Sequence, residues 1–298
     1  MTASSSTTPA SPKVWLITGC SSGIGRELAL SALDRGDHVL ATARNASKLK
    51  DLEALGAAAI VLDVADSEEN MQQIIADAVK IYGRVDILVN NAGYSLEGAI
   101  EACSETEVYA QFNTNVFGIG RMVRAVLPYM RTQKSGVVAN VGSMGGWRGL
   151  PVIGWYCATK FAVAGLSEAL RSEVAHLGID VVSIDLGSFR TSLLYGNMVV
   201  AKNRIADLDP GTEPTKQFLT MRNGKQPGDP AKAAKLLTEV LTKSGRCEGR
   251  AIPSRLAVGK DAVRTINAAM QKGHEKVDAW VDLVSTTDFD EVVAEGGQ

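Results

Sequence analysis

Lys13-Val14-Trp15-Leu16-Ile17-Thr18-Gly19-Cys20-Ser21-Ser22-Gly23-Ile24-Gly25 decides the fold. The apolar run Lys13–Thr18 reads as a buried strand, and the periodicity from about Gly23 to Arg35 as a helix. Between them lies a glycine-rich turn. Glycine lets the backbone turn tightly and approach a ligand, while the helix N-terminus offers free N–H groups and positive partial charge. A strand, such a turn and a helix in direct succession form a pyrophosphate cradle. Gly19, Ser21, Ser22, Gly23, Ile24 and Gly25 are its candidate binding residues. No Gly-Lys-Ser/Thr ending follows, which excludes a P-loop. Three residues separate Gly19 from Gly23, so the spacing also differs from G-x-G-x-x-G.

Outward from this turn, apolar bursts alternate with helical patterns. Strands are expected at His38–Thr42, Ala59–Leu62, Asp86–Asn90, Gly136–Val141 and Asp180–Leu186, with a short last one at Leu256–Val258. Helices are expected at Ser67–Tyr82, Glu105–Gln133, Tyr156–Leu177, Asp229–Lys243 and Lys260–Val284. Such alternation implies parallel βαβ units and an α/β fold with helices on both faces of a doubly wound sheet. Residues 188–228 break the rhythm after a strand's C-terminal end, where open α/β sheets bind ligands, and read as a substrate lid. The apolar stripe Val263, Ile266, Met270, Val277, Trp280, Val281 and Val284 reads as core packing.

The chain has 298 residues, 45% of them apolar and 21% charged, an ordinary globular composition with room for a large core. Its net charge of −2 gives no field for nucleic acid or an anionic membrane. Four cysteines and three histidines show no metal-ligand spacing, so no metal is expected and the thiols read as free. Residues 1–12 read as a disordered tail, and 13–298 as one catalytic domain with a helical extension over 246–298. No stretch approaches the length of a membrane span, and no targeting signal is evident, so a cytoplasmic location is expected.

The end of the second strand bears on cofactor choice. An acid there would bind the ribose hydroxyls of NAD; this chain has Ala43-Arg44. Arg44 can neutralise a 2′-phosphate through a forked contact, which favours NADP, and Asp37 lies at the wrong end of that strand to compete. Ser143 closes the strand Gly136–Val141, and Tyr156 and Lys160 follow one helical turn apart on one face. A nearby ammonium favours the phenolate, so Lys160 is expected to lower the Tyr156 pKa and let it exchange a proton with a substrate oxygen.

These motifs resemble, in order and spacing, those of the short-chain dehydrogenase/reductase family over Lys13 to about Leu194. Thr18–Gly25 matches its cofactor loop, Asn90-Asn91-Ala92-Gly93 the segment after its fourth strand, and Asn115 its helix asparagine. The resemblance implies a three-layer Rossmann fold and an enzyme using NADP (NADPH). Tyr156 would carry the proton, Ser143 hold the substrate oxygen, and Lys160 tune Tyr156 and bind the nicotinamide ribose. Asn115 would position a water linking Lys160 to solvent. Asp63 and Val64 match the adenine side, Phe189 and Thr191 the nicotinamide side. Leu186-Gly187 stands where the family usually has Pro-Gly, which puts that turn's rigidity in question.

Gly145-Gly146 and Leu150-Pro151 resemble members acting on steroids and retinoids, implying a bulky hydrophobic small-molecule substrate. Trp147, Leu150, Val152, Trp155 and Phe189 are candidates for an apolar pocket or, equally, for core packing, which is the better reading of Val152. The long helices resemble those forming family dimers, so a homodimer or homotetramer is possible. Two alternatives stay open: an epimerase or lyase-like enzyme on the same scaffold, and a non-catalytic NADP-sensing binding protein.

Overall fold

The structure is a computed structural model that describes residues 11–194 and 196–289. Most of the tail expected at 1–12 and the last residues of the C-terminal extension lie outside the described residues. Seven strands form one parallel sheet: β1 (Val14–Ile17), β2 (His38–Ala43), β3 (Ala58–Val61), β4 (Ile87–Asn90), β6 (Gly136–Val141), β7 (Ile179–Leu186) and β9 (Arg255–Val258). Their order is β3-β2-β1-β4-β6-β7-β9. The winding reverses between β1 and β4, and at such a switch point a crevice opens beyond the strands' C-terminal ends.

β1 explains the three layers. All four of its side chains are buried, and successive ones point to opposite faces. Trp15 and Ile17 pack with Leu28, Leu237 and Leu241 of α1 (Gly23–Asp34) and α8 (Pro230–Thr242). Val14 and Leu16 pack with Met71, Ile75, Met122 and Val126 of α3 (Glu68–Tyr82) and α5 (Gly118–Gln133). Burial on both faces is why the strands read as unbroken apolar runs. At the opposite end from the crevice, buried Asp37 accepts from Trp15 Nε1 at 2.9 Å and pairs with Arg35.

Three elements differ from the expectations. The long helix predicted over Glu105–Gln133 is α4 (Glu105–Phe112), a π-helical turn at Asn113–Phe117, then α5. The 188–228 segment is more ordered than predicted. It carries β8 (Met198–Val200), which pairs with β5 (Ser95–Glu97), and α7 (Asp209–Arg222). The helix predicted over Lys260–Val284 divides into α9 (Lys260–Asp278) and α10 (Val281–Val284). Its apolar stripe is not core. Only Ile266 of the seven is buried, and Met270, Val277 and Trp280 are more than half exposed, because the distal part of α9 runs beyond the body of the sheet. Among the described residues, no helix is long and apolar enough to cross a membrane.

Candidate active site

A cleft of about 1200 Å³ lies at the C-terminal ends of β1, β4 and β6. The loop after β1 forms one wall. Gly19 and Gly23 adopt φ of +74° and +61°, backbone that a side chain would strain. Gly25 does not line the cleft. It lets α1 approach Asn91, whose side-chain amide would collide with any Cβ there. Asn91 Nδ2 donates to the Thr18 carbonyl at 2.8 Å, and Thr18 Oγ1 accepts from the Asn91 and Ala92 amides. The loop is thus fixed from behind, with its open side toward the cleft. Ser22 precedes α1 without capping it, in contrast to Ser67, Ser104 and Asp229 before α3, α4 and α8. The Ser22 hydroxyl instead meets that of Ser192 at 2.9 Å across the loop mouth.

Gly19, Ser21, Ser22, Gly23, Ile24, Asn91, Ala92 and Gly93 line this part of the cleft. Arg44, Asp63 and Val64 line its far end. Arg44 is exposed and has no ion pair among the described residues, whereas neighbouring Asn45 caps Ser47. Asp63 accepts from the Ala65 amide at 2.9 Å. Asn90 is buried outside the cleft. Its Nδ2 donates to Asn140 Oδ1 at 2.8 Å, and Asn140 donates on to Ser167, so it ties β4 to β6 and α6 (Gly154–Val174). These residues fit a dinucleotide: positive-φ glycines, an uncapped helix N-terminus for phosphate, and a guanidinium at the ribose end.

Ser143, Tyr156, Lys160, Phe189 and Thr191 line the remainder of the cleft. Ser143 Oγ accepts from the Gly145 amide at 3.0 Å, which fixes the hydroxyl at the end of β6. Lys160 Nζ lies 5.5 Å from the Tyr156 ring centroid and donates to the Val141 carbonyl at 2.7 Å. Asn115 stands in the π-turn behind these groups rather than in the cleft wall. Its Nδ2 donates to the Tyr94 carbonyl at 2.9 Å and its Oδ1 accepts from the Tyr94 amide at 3.1 Å.

The electrostatics depart from the expected balance. Burial pushes the Tyr156 phenol up to about 12, against an opposing pull from the Ser143 hydroxyl. Burial likewise brings Lys160 down to about 8, while Asp185 acts to raise it. Desolvation is thus the largest influence on both groups, and it favours the neutral form of each.

The turn after β7 is rigid without a proline. Asp261 Oδ2 accepts from the Ser188 amide at 2.8 Å, and the Gly187 amide donates to the Val258 carbonyl at 2.9 Å. Phe189 bridges to Gly228, where a Cβ would stand 2.5 Å from the ring. Of the apolar candidates, Leu150 and Phe189 line the cleft. Val152 is core, Trp155 donates to the Ile100 carbonyl at 3.1 Å, and Trp147 turns inward onto Asp185. Arg148, Arg222, Arg264, Gln226 and Asp261 also reach the cleft. They come from three separate stretches of the chain and form no motif. A helix-start aspartate was the one readable signal, at Asp261.

This parallel sheet and its loop define a dinucleotide-binding protein of the Rossmann class. The profile of the family described as short chain dehydrogenase matches residues 13–197, and the chain belongs to that family of oxidoreductases, whose fold binds a nicotinamide cofactor. Oxidoreductase BOA17 of Botryotinia fuckeliana is 33% identical over 91% of this chain and 97% of its own length. Human retinol dehydrogenase 8 is 35% identical over 69% of this chain and 67% of its own. The crystal structure of a short-chain dehydrogenase from Streptomyces avermitilis superposes with a TM-score of 0.85 at 40% identity, covering 94% of this chain and 99% of that one. ElxO with NADP bound has a TM-score of 0.69 at 28% identity, covering 85% and 99%. A 3-ketoacyl-(acyl-carrier-protein) reductase from Brucella melitensis, complexed with NADH, has a TM-score of 0.69 at 27% identity, covering 85% and 98%.

Proposed function

We propose that the chain is an NADP(H)-dependent enzyme that interconverts a carbonyl and an alcohol on a bulky hydrophobic small molecule. The observation that carries this reading is the convergence, in one cleft with the phosphate loop, of Ser143, Tyr156 and Lys160. Bound NADPH would supply the hydride. The Ser143 hydroxyl, oriented by the Gly145 amide, donates to the substrate oxygen. Tyr156, neutral at physiological pH, passes its proton to that oxygen. Lys160 has two N–H groups beyond the one given to Val141, and these suit ribose hydroxyls. Catalysis speeds both directions alike, so the reaction runs toward carbonyl reduction wherever NADPH is the abundant form of the cofactor. An absorbance assay of NADPH against NADH over a panel of steroid, retinoid and other hydrophobic carbonyls tests the reading. Absence of any carbonyl-dependent NADPH oxidation would refute it.

Lys160 gives the reaction a pH signature. The lysine is charged below about 8 and neutral above it. If the charged form holds the ribose, kcat/KM for NADPH is level from neutral pH up to about 8 and falls beyond it. A profile still rising through pH 9 contradicts this role.

The cleft also has a charge preference. Arg148, Arg222 and Arg264 line it, and none has an ion-pair partner among the described residues. Asp63 and Asp261 are the only carboxylates among the described lining residues, and Asp261 is held by backbone amides. Three unopposed guanidinium groups in a chain of net charge −2 are not a sample of a basic surface. A hydrophobic ketone bearing a remote carboxylate should therefore show a KM about tenfold below that of its methyl ester, the scale of one charge-assisted contact. Replacing the three arginines by glutamine should erase the difference. Equal KM values for acid and ester in the unaltered enzyme would rule out the preference.

A further inference from the structure

Behind the Ser143 turn lies a buried ionic cluster that the reaction as described does not use. Asp185, near the end of β7, is 1% exposed. Its Oδ2 accepts from Trp147 Nε1 and from Arg255 Nε, each at 2.7 Å, and its Oδ1 accepts from Ser183 Oγ at 2.9 Å. The Arg255 guanidinium stacks on the Trp147 indole, 3.8 Å from the ring centroid, and reaches the Gly146 carbonyl at 3.4 Å. Arg255 comes from β9, beyond the segment that the family profile matches.

The cluster touches the turn at both ends. At Gly142 any Cβ would collide with Asp185 Oδ1, so the backbone just before Ser143 rests on the carboxylate. At the other end Trp147 is pinned by hydrogen bond and stack. Between them the turn closes on itself, the Gly146 amide donating to the Ser143 carbonyl at 2.8 Å. Gly146 in turn packs on α6 at Lys160, where a Cβ would lie 2.8 Å from the Lys160 carbonyl oxygen. A surface fold requirement would not need a desolvated carboxylate here, since burying a charge is costly unless it is fully bonded. This one is bonded by three donors, and it is aimed at the catalytic turn.

We propose that Asp185, Arg255 and Trp147 are positioning residues for the reaction, clamping the Ser143 turn and, through Gly146, the stretch of α6 that carries Lys160. The inference rests on the roles given above to Ser143 and Lys160. A misplacement of about 1 Å at a reacting group costs up to ~100-fold in rate, which is what such a clamp prevents. The second part is electrostatic. Lys160 is held down by burial, and Asp185 is the group that opposes this. Among the described residues, charged or titratable groups near Lys160 include Asp185 from β7, Arg255 from β9 behind Gly146, and Tyr156 and Cys157 from its own helix.

The test compares Trp147→Phe and Asp185→Asn with the unaltered enzyme, measuring kcat, KM, NADPH Kd and folded fraction. In the cofactor-free protein, the pH dependence of Lys160 acetylation, read by peptide mass spectrometry, gives its pKa independently of activity. The expected result is a kcat loss of about tenfold or more per folded enzyme in both variants, with NADPH Kd changed by less than about threefold. In Asp185→Asn, Lys160 should titrate about one pH unit lower, and in Trp147→Phe it should not move. Retained kcat in both variants, a parallel loss of NADPH affinity, or an unmoved Lys160 in Asp185→Asn would overturn the proposal. Removing one partner of a buried pair is destabilising. Trp147→Phe keeps both charges, so it decides the positioning part alone if Asp185→Asn does not fold. If the unaltered enzyme turns over no carbonyl, the function fails, and the acetylation shift still decides the electrostatic part.

Discussion

Tyr156→Phe will lower carbonyl-dependent NADPH oxidation about a thousandfold, within the range that a positioned acid or base contributes, while NADPH still binds. The ring stays. It packs with Val152, Ile153 and Cys157, and a phenyl group fills the same space. Only the hydroxyl goes, and with it the proton that the reaction must deliver to the substrate oxygen. The Ser143 hydroxyl cannot replace it, because it has no neighbouring base to return its proton. The loss should appear in kcat with little change in KM, the mark of an interaction made in the transition state alone. NADPH fluorescence on binding and steady-state turnover, measured on one preparation, separate the two effects. Activity within about tenfold of the unaltered enzyme would remove Tyr156 from the proton-transfer role. The same pair of measurements answers the binding-protein alternative: a pure sensor would show NADPH binding without turnover before any substitution was made.

Much of this site was legible because its residues lie where local sequence signals are strong. The phosphate loop sits between a fully buried strand and a helix, and both announce themselves by periodicity. Tyr156 and Lys160 share a helix face because four residues make about one turn. What sequence could not reveal depends on long-range packing. The π-turn at Asn113–Phe117 sits inside a continuous helical pattern, and the hydrogen bonds that Asn115 makes to Tyr94 and Thr159 join it to distant segments. α7 carries Pro210, Gly211 and Pro214 and has no buried residue, so it offers no apolar periodicity to read. The stripe on α9 was misread for the opposite reason. It has the right period, but nothing among the described residues packs against its distal part. One-turn spacing places the ammonium beside Tyr156 but says nothing of desolvation, which the fold imposes on both groups. Cleft residues such as Arg222, Gln226 and Arg264 come from segments whose meeting only the tertiary structure specifies.

Arg44→Ala will move cofactor preference from NADPH toward NADH. A hydrogen bond to a charged group contributes about 1.5–3 kcal/mol, so kcat/KM for NADPH should fall by about tenfold to a hundredfold. The value for NADH should hardly change, since NADH carries no 2′-phosphate for the guanidinium to meet. The local arrangement makes this residue decisive. Arg44 follows the last residue of β2 at the far end of the cleft and is held by no carboxylate among the described residues, so its charge is available to a ligand. Asn45, its neighbour, is occupied in capping Ser47. Asp37, the acid that might have bound a ribose, lies at the other end of β2 and is bonded to Trp15 and Arg35. Asp63 stands on the next strand's loop, one of its oxygens engaged by Ala65. Because Arg44 is exposed, its contact with a phosphate is open to screening, so the preference of the unaltered enzyme should shrink as ionic strength rises toward 1 M, where the Debye length is about 3 Å. Initial rates with both cofactors at two salt concentrations check both expectations. An NADPH-to-NADH ratio unmoved by the substitution would place the 2′-phosphate elsewhere in the cleft, and a ratio near unity in the unaltered enzyme would end the case for NADP specificity while leaving Ser143, Tyr156 and Lys160 in their roles.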